Sequence, residues 1–92
     1  MNFTWNDAKR QANLKKHGLD FADASLVFAG HTLTRPDTRF SYGEARFSTV
    51  GLLGVEVVVI AHTETEDTIQ VISMRKAERH EWEYYFASLC RS

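Results

Sequence analysis

The chain is 92 residues long, carries a formal net charge of −1 and has a sequence pI near 6.4. Hydrophobic residues make up 43% of it and charged residues 25%, which excludes the disordered class and predicts one packed domain over residues 1–92. A chain this close to neutral has no overall basic field, so any nucleic-acid binding must come from a local patch.

The sequence carries no pattern typical of secretion, membrane insertion or metal binding. No charged region leads into an apolar stretch at the N-terminus, and the longest apolar run, residues 57–61, has the length of a strand. Cys90 is the single cysteine, and no His/Cys cluster has zinc-finger spacing. We therefore expect a cytoplasmic protein with no membrane segment, no metal and no other cofactor.

A short strand and a helix are predicted first. Residues 3–5 read as the strand, and residues 8–17 are good helix formers that leave a basic face exposed. Asn6 or Asp7 supplies the acceptor that caps the helix, and Gly18 ends it.

A second helix is predicted between Asp20, as its N-cap, and Gly30. Its apolar side follows the spacing of one helix face, with Phe21, Ala24, Ser25 and Phe28. Residues 30–43 contain Pro36, the one proline, and predict a turn and an exposed connection, with an extra edge strand near Leu33 as an alternative.

Three extended segments follow. Residues 45–50 alternate apolar and polar side chains, and residues 51–54 predict a hairpin turn. Residues 55–61 are nearly all apolar and β-branched, which is typical of a central strand covered on both sides. A turn at 64–67 leads into the last strand at 69–74, and such short connections require antiparallel neighbours.

The C-terminal segment, residues 77–89, predicts an amphipathic helix that covers the sheet with an aromatic stripe of Trp82, Tyr85, Phe86 and Leu89. The expected fold class is therefore α+β: two N-terminal helices, an antiparallel sheet of three to four strands and a C-terminal helix.

Several short motifs occur in a fixed order along the chain. They are Phe3-x-Trp5, Asn13-x-x-Lys16-His17-Gly18-x-x-Phe21-x-x-Ala24, Val27-Phe28, Glu44-x-Arg46-Phe47, Val50-Gly51 and Asp67-Thr68-Ile69-x-Val71-Ile72-Ser73-x-Arg75-x-Ala77. Together they resemble the BrnT-type toxins of bacterial type II toxin–antitoxin systems, over most of the chain.

The resemblance implies a RelE-like fold, a single toxin domain and ribonuclease activity that cleaves mRNA and blocks translation. It also implies a hetero-oligomer with a neutralising BrnA-like antitoxin of the ribbon-helix-helix type. In this complex the antitoxin binds DNA, and the toxin is associated with DNA only through the antitoxin. The chain departs from the family where Asn6-Asp7 replaces Asp-Pro and where Gln70 replaces a frequent arginine. For the second change, the resemblance implies the loss of one phosphate contact.

RNA cleavage without a metal needs a base for the ribose 2′-hydroxyl, cations for the phosphate charge and an acid for the leaving 5′-oxygen. Histidine, with an ordinary pKa of about 6.5, suits either proton-transfer role, and arginine offers a planar fork to two phosphate oxygens. The catalytic candidates are His17, Arg46, His62 and Arg75. A three-stranded meander is expected to bring the last three onto one surface.

Each candidate also has a structural alternative. His17 is equally placed to cap the first helix, Arg46 to pair with Glu44 or Glu81, and His62 to be a satisfied strand residue. Glu81 could orient an arginine or act as a base.

Lys9 and Lys16 are candidates for binding the RNA backbone and Tyr84 for stacking on a base, although exposed lysines are usually solvated surface. Two functions remain open: an mRNA-cleaving toxin, or a non-catalytic partner and co-regulator of a DNA-binding antitoxin-like repressor. The sequence does not specify the RNA sequence preference, the acid and base, or the stoichiometry of the complex.

Overall fold

A computed structural model describes residues 1–37 and 45–90, and within them the chain forms three α-helices and five strands. In chain order the elements are β1 (Asn2–Trp5), α1 (Asp7–His17), a 3-10 turn (Phe21–Asp23), α2 (Ala24–Phe28), β2 (Thr32–Pro36), β3 (Phe47–Leu53), β4 (Glu56–Glu64), β5 (Thr68–Lys76) and α3 (Arg79–Cys90). The fold is α+β.

The strands form one mixed sheet in the order β1-β5-β4-β3-β2. Strands β2 to β5 are antiparallel neighbours, and β4 is the central strand, which confirms the prediction for residues 55–61. The expectation of a purely antiparallel sheet of three to four strands is wrong, because β1 adds a parallel strand beside β5, with Asn2 opposite Thr68 and Trp5 opposite Val71. No turn signal marks a pairing between such distant segments.

The strand predicted as an alternative near Leu33 is present as β2, on the edge of the sheet. Pro36 ends it, in a position where its missing N–H is tolerated. The rest of the predicted connection, residues 38–43, lies outside the described residues.

The turn between β3 and β4 lies at Gly54, which has a φ of 63°, and not over the whole of residues 51–54. Gly51 is a buried strand residue. A Cβ on it would lie 2.7 Å from Val27 Cγ1, so glycine is there because α2 packs closely against β3.

The two faces of the sheet carry separate core clusters. Alternate residues of β4 supply both, since Val58 and Ile60 join the cluster beneath α2, whereas Val57 and Val59 join Tyr85 of α3. α3 covers its face less fully than predicted, because Trp82 and Phe86 are 39% and 42% exposed. Of the predicted aromatic stripe, Tyr85 alone is fully buried.

The start and end of α1 are as predicted. The Asn6 side chain accepts the Lys9 N–H, and Gly18, at φ 70°, donates its N–H to the Leu14 carbonyl. The predicted second helix is a 3-10 turn followed by the five-residue α2, with the Asp20 carboxylate accepting the Ala22 N–H.

Asn13 joins α1 to the sheet. Its Oδ1 accepts the Met74 N–H at 3.1 Å, and its Nδ2 donates to the Leu19 carbonyl at 3.1 Å. The amide thus satisfies a backbone donor of β5 beyond the end of β1, and it is buried.

Candidate active site

A pocket of about 260 Å³ opens between α3 and the part of the sheet formed by β2, β3 and β5. Two arginines, one histidine, one glutamate and one tyrosine give it its chemical character: Arg35, Arg75, His80, Glu81 and Tyr84. The other described lining residues are Asp37, which adds a second carboxylate, and Pro36, Ser48 and Val50.

The chain places these groups together because α3 begins soon after β5 ends. Arg75 lies near the end of β5, and the first two turns of α3 carry His80, Glu81 and Tyr84 back over it. Arg35 reaches the same pocket from the edge strand β2. Residues distant in sequence thus line one cavity.

Arg75 and Glu81 form a planar two-bond ion pair. Nη1 donates to Oε1 at 2.7 Å and Nη2 to Oε2 at 2.9 Å, while Oε1 also accepts the Glu78 N–H at 2.8 Å. The hydrogen bond from Arg75 lowers the pKa of Glu81 to about 2. Glu81 is therefore ionised near neutrality and is a weak base, which suits it to holding the guanidinium of Arg75 in place.

Arg35 and Tyr84 form a second pair in the pocket. The guanidinium carbon of Arg35 lies 4.6 Å from the centroid of the Tyr84 ring, in the geometry of a cation–π contact. The Tyr84 side chain remains exposed, so a flat aromatic surface with a cation over it is accessible from solvent.

His80 supplies an imidazole at the rim of this pocket. Its Nδ1 lies 3.6 Å from Glu78 Oε2, and its side chain is 77% exposed, so it is accessible to a ligand. An imidazole beside two guanidinium groups can transfer protons next to a bound phosphate.

A second groove, of about 230 Å³, lies between α1 and β5 and shares no lining residue with the pocket. Lys9, Lys16 and His17 line it from α1, and Ile72 and Ser73 from β5. The structure thus places three of the predicted site residues here.

His62 lies in neither cavity. Its side chain is fully buried, its Nε2 is 2.7 Å from Thr49 Oγ1, and its ring packs against those of Phe28 and Phe47. Burial lowers its pKa, although Glu64, 3.5 Å from Nδ1, acts in the opposite direction. His62 is a neutral core residue.

The described residues contain neither a cluster of metal ligands nor a membrane-spanning helix. Among the residues that the structure describes, no three His, Cys, Asp or Glu side chains are grouped so that they could hold a metal ion. In the same residues, no helix is both long enough and apolar enough to span a bilayer.

Comparison with known families adds an independent observation. Residues 5–81 match the family model described as "Ribonuclease toxin, BrnT, of type II toxin-antitoxin system". The chain belongs to this family. The match confirms the resemblance inferred from the motifs, and no curated protein matches the chain.

Membership of the BrnT family implies a ribonuclease toxin with an antitoxin as its partner. The matched residues include Arg35, Arg75, His80 and Glu81 of the pocket, whereas Tyr84 lies just beyond them. The groove residues of α1 are also within the match.

The prediction that the arginines and His62 lie on one surface is wrong. Arg75 lines the pocket on the α3 side, whereas His62 is buried with Phe28 of α2 on the other face of the sheet. Arg75 pairs with Val59, and Val59 and His62 are three residues apart on β4, so they point to opposite faces. Arg46 precedes β3 with its carbonyl accepting the Asp37 N–H at 2.8 Å, and it is not part of the described pocket lining.

Sequence reasoning missed Arg35 and His80. His80 and Tyr84 are one helical turn apart on α3, so the helix period could have placed His80 beside the predicted Tyr84. Arg35 lies in an edge strand without clear alternation, and nothing in the sequence pairs it with α3.

Proposed function

We propose that the pocket beneath α3 is the active site of an endoribonuclease that cleaves mRNA and so inhibits translation. The observation that carries the proposal is the convergence of two guanidinium groups, an accessible imidazole and an exposed aromatic ring on one cavity. The family description supports the ribonuclease activity, and the pocket supplies groups suited to it.

In the proposed reaction the ribose 2′-oxygen attacks the adjacent phosphorus and the bond to the 5′-oxygen breaks. The products are a 2′,3′-cyclic phosphate and a 5′-hydroxyl. Arg75 and Arg35 stabilise the charge on the phosphate oxygens. His80 makes one of the two proton transfers, from the 2′-hydroxyl or to the leaving 5′-oxygen, and solvent water makes the other. Tyr84 stacks on a neighbouring base.

Glu81 acts as a positioning residue in this scheme. Its two oxygens fix the plane of the Arg75 guanidinium, and a phosphate that enters the pocket competes with them for the same Nη atoms. Because Glu81 stays ionised at neutral pH, it has no proton to donate. Its role is to bind Arg75 until a phosphate takes its place.

The finer features of the family remain proposals for this chain. We propose a RelE-like toxin of one domain, acting in the cytoplasm where mRNA is found and neutralised by an antitoxin with a ribbon-helix-helix domain. Proton transfer by imidazole and charge stabilisation by guanidinium allow cleavage without a metal, so we expect activity to survive a chelator such as EDTA.

One observation favours a second function, that of a non-catalytic partner of a DNA-binding repressor. Both terminal nitrogens of Arg75 are already bonded to Glu81, at 2.7 and 2.9 Å, so a phosphate would have to displace this partner. In this case the chain folds and binds its partner without cleaving RNA.

Expression of the chain alone in bacterial cells distinguishes the ribonuclease from the non-catalytic partner. We expect growth arrest and discrete new 5′ ends in cellular mRNA by primer extension, both lost in Arg75→Ala. The matched control is Arg79→Ala, which removes an exposed arginine of α3 that pairs with Glu83 outside the pocket. Arrest without new 5′ ends, or equal loss in both folded variants, would overturn the proposal.

A further inference from the structure

The groove between α1 and β5 carries positive groups that suit the phosphates of a nucleic acid. Lys9, Lys16 and His17 supply cationic or titratable groups, whereas Ala12 and Ile72 supply apolar surface. Proteins that bind single strands combine positive groups, which follow the phosphates, with aromatic side chains on which the bases stack, and the described lining of the groove supplies the first of these two features.

The helix period gathers these residues. Positions 9, 12, 13, 16 and 17 lie on one side of α1, the side that contacts β5. Lys15 lies on another side of the same helix and is not part of the described lining. Lys9 and Lys16 therefore lie on the same side of α1, and both line the groove.

The groove is adjacent to the proposed active site along β5. Ser73 lines the groove and Arg75 lines the pocket, and these two positions are about 7 Å apart along β5. Among the described residues, β1 ends at Trp5, opposite Val71 of β5. Beyond Val71, this edge of β5 contacts α1 and not another described strand.

We infer that the groove is a second RNA subsite, which binds the phosphates of nucleotides that flank the one cleaved in the pocket. RNA then crosses the end of β5, with its reacting phosphate at Arg75 and a flanking segment at Lys9, Lys16 and His17. This inference rests on the proposed function, since it extends the substrate of the same enzyme beyond the cleaved link. It places His17 at a phosphate, away from the reacting atoms.

The test compares RNA lengths. Fluorescence anisotropy measures binding of fully 2′-O-methylated oligonucleotides, which lack the attacking hydroxyl, of about 4 and about 12 nucleotides. The double variant Lys9→Ala/Lys16→Ala should bind the longer RNA about tenfold more weakly than the wild type, and its plot of log affinity against log salt should be shallower by about 1.4. The short RNA and the control Lys15→Ala should show no change.

Each other outcome contradicts the inference. Equal losses in Lys15→Ala and in the double variant would show a general effect of charge. If the double variant binds both RNAs normally and loses the antitoxin, the groove belongs to the protein partner. The proposed function survives both results provided that Arg75→Ala still loses cleavage, whereas failure of the wild type to bind either RNA removes function and subsite together.

Discussion

At the scale of the residue, burial decides what each imidazole can do. His62 and His80 have the same side chain, but His62 is enclosed by Thr49, Phe28 and Phe47, whereas His80 stands at the rim of a pocket. Thr34 Oγ1 lies 2.7 Å from Thr49 Oγ1, so the polar contact of His62 continues to the edge strand β2. His62 is therefore placed to stabilise the core, whereas His80 is placed to meet a ligand in the pocket.

His62 should make the protein less stable in mild acid. Burial lowers its pKa below the ordinary 6.5, so below about pH 6.5 the unfolded chain binds more protons than the folded one. The free energy of unfolding should therefore fall as pH decreases from 6.5 to 5, by up to about 1.4 kcal/mol per pH unit, and this term should be constant above pH 7. Urea denaturation at several pH values measures the effect.

The control is His62→Gln, which keeps a polar side chain but does not titrate. The free energy of unfolding of this variant should be lower than that of the wild type at every pH. Between pH 6.5 and 5 it should not change with pH. Glu81 and Asp20, whose pKa values are lowered to about 2, contribute at more acidic pH. A wild-type free energy of unfolding that stays constant from pH 6.5 down to pH 5 would contradict a buried, neutral His62.

Tyr84 should contribute to RNA binding through its ring. Replacement by alanine removes the surface beneath Arg35 and should weaken RNA binding by about 1–3 kcal/mol, whereas Tyr84→Phe keeps the ring and should bind nearly as the wild type does. Anisotropy with a non-cleavable RNA measures both. Equal weakening by alanine and phenylalanine would instead assign the contribution to the hydroxyl group.

At the scale of the element, the side chain of Asn13 connects α1 to the sheet through hydrogen bonds. Asn13 satisfies the Met74 N–H of β5 and the Leu19 carbonyl that follows α1, and both bonds are buried. The α1–β5 groove depends on this connection, because Asn13 is one of its lining residues.

Asn13→Ala should destabilise the fold. It leaves a buried donor and a buried acceptor without their partner, and each such group costs about 1–3 kcal/mol. Chemical denaturation gives the difference, with the exposed Gln11→Ala on the same helix as the control, expected within about 0.5 kcal/mol of the wild type. A loss below about 1 kcal/mol would show that water or a shift of α1 replaces the bonds.

At the scale of the whole molecule, local chemistry was predictable and long-range pairing was not. The ends of α1 follow from Asn6 and Gly18, and the meander follows from alternation and short turns. The parallel β1–β5 pair has no local signal, and Gly51 resembles a turn residue until α2 is seen packed against it. These features depend on contacts between segments far apart in the chain.

The candidate site was predictable to a similar extent. Arg75 and Tyr84 follow from the strand and helix periods, and the structure brings them to one pocket. The predicted position of His62 beside Arg75 is wrong, because His62 lies on the opposite face of the sheet from Arg75. Arg35 reaches the pocket only through contacts between distant segments, such as that with Tyr84. The pairing of Glu81 with Arg75 also required coordinates, because β5 and α3 must first be oriented.

The most direct test of the account is cleavage of a single-stranded RNA by the purified chain in EDTA, with Arg75→Ala and Arg79→Ala measured beside it. We predict products ending in 2′,3′-cyclic phosphate for the wild type and Arg79→Ala, and a rate at least about 100-fold lower for Arg75→Ala. Undiminished cleavage by a folded Arg75→Ala would contradict the assignment of the active site to the pocket beneath α3.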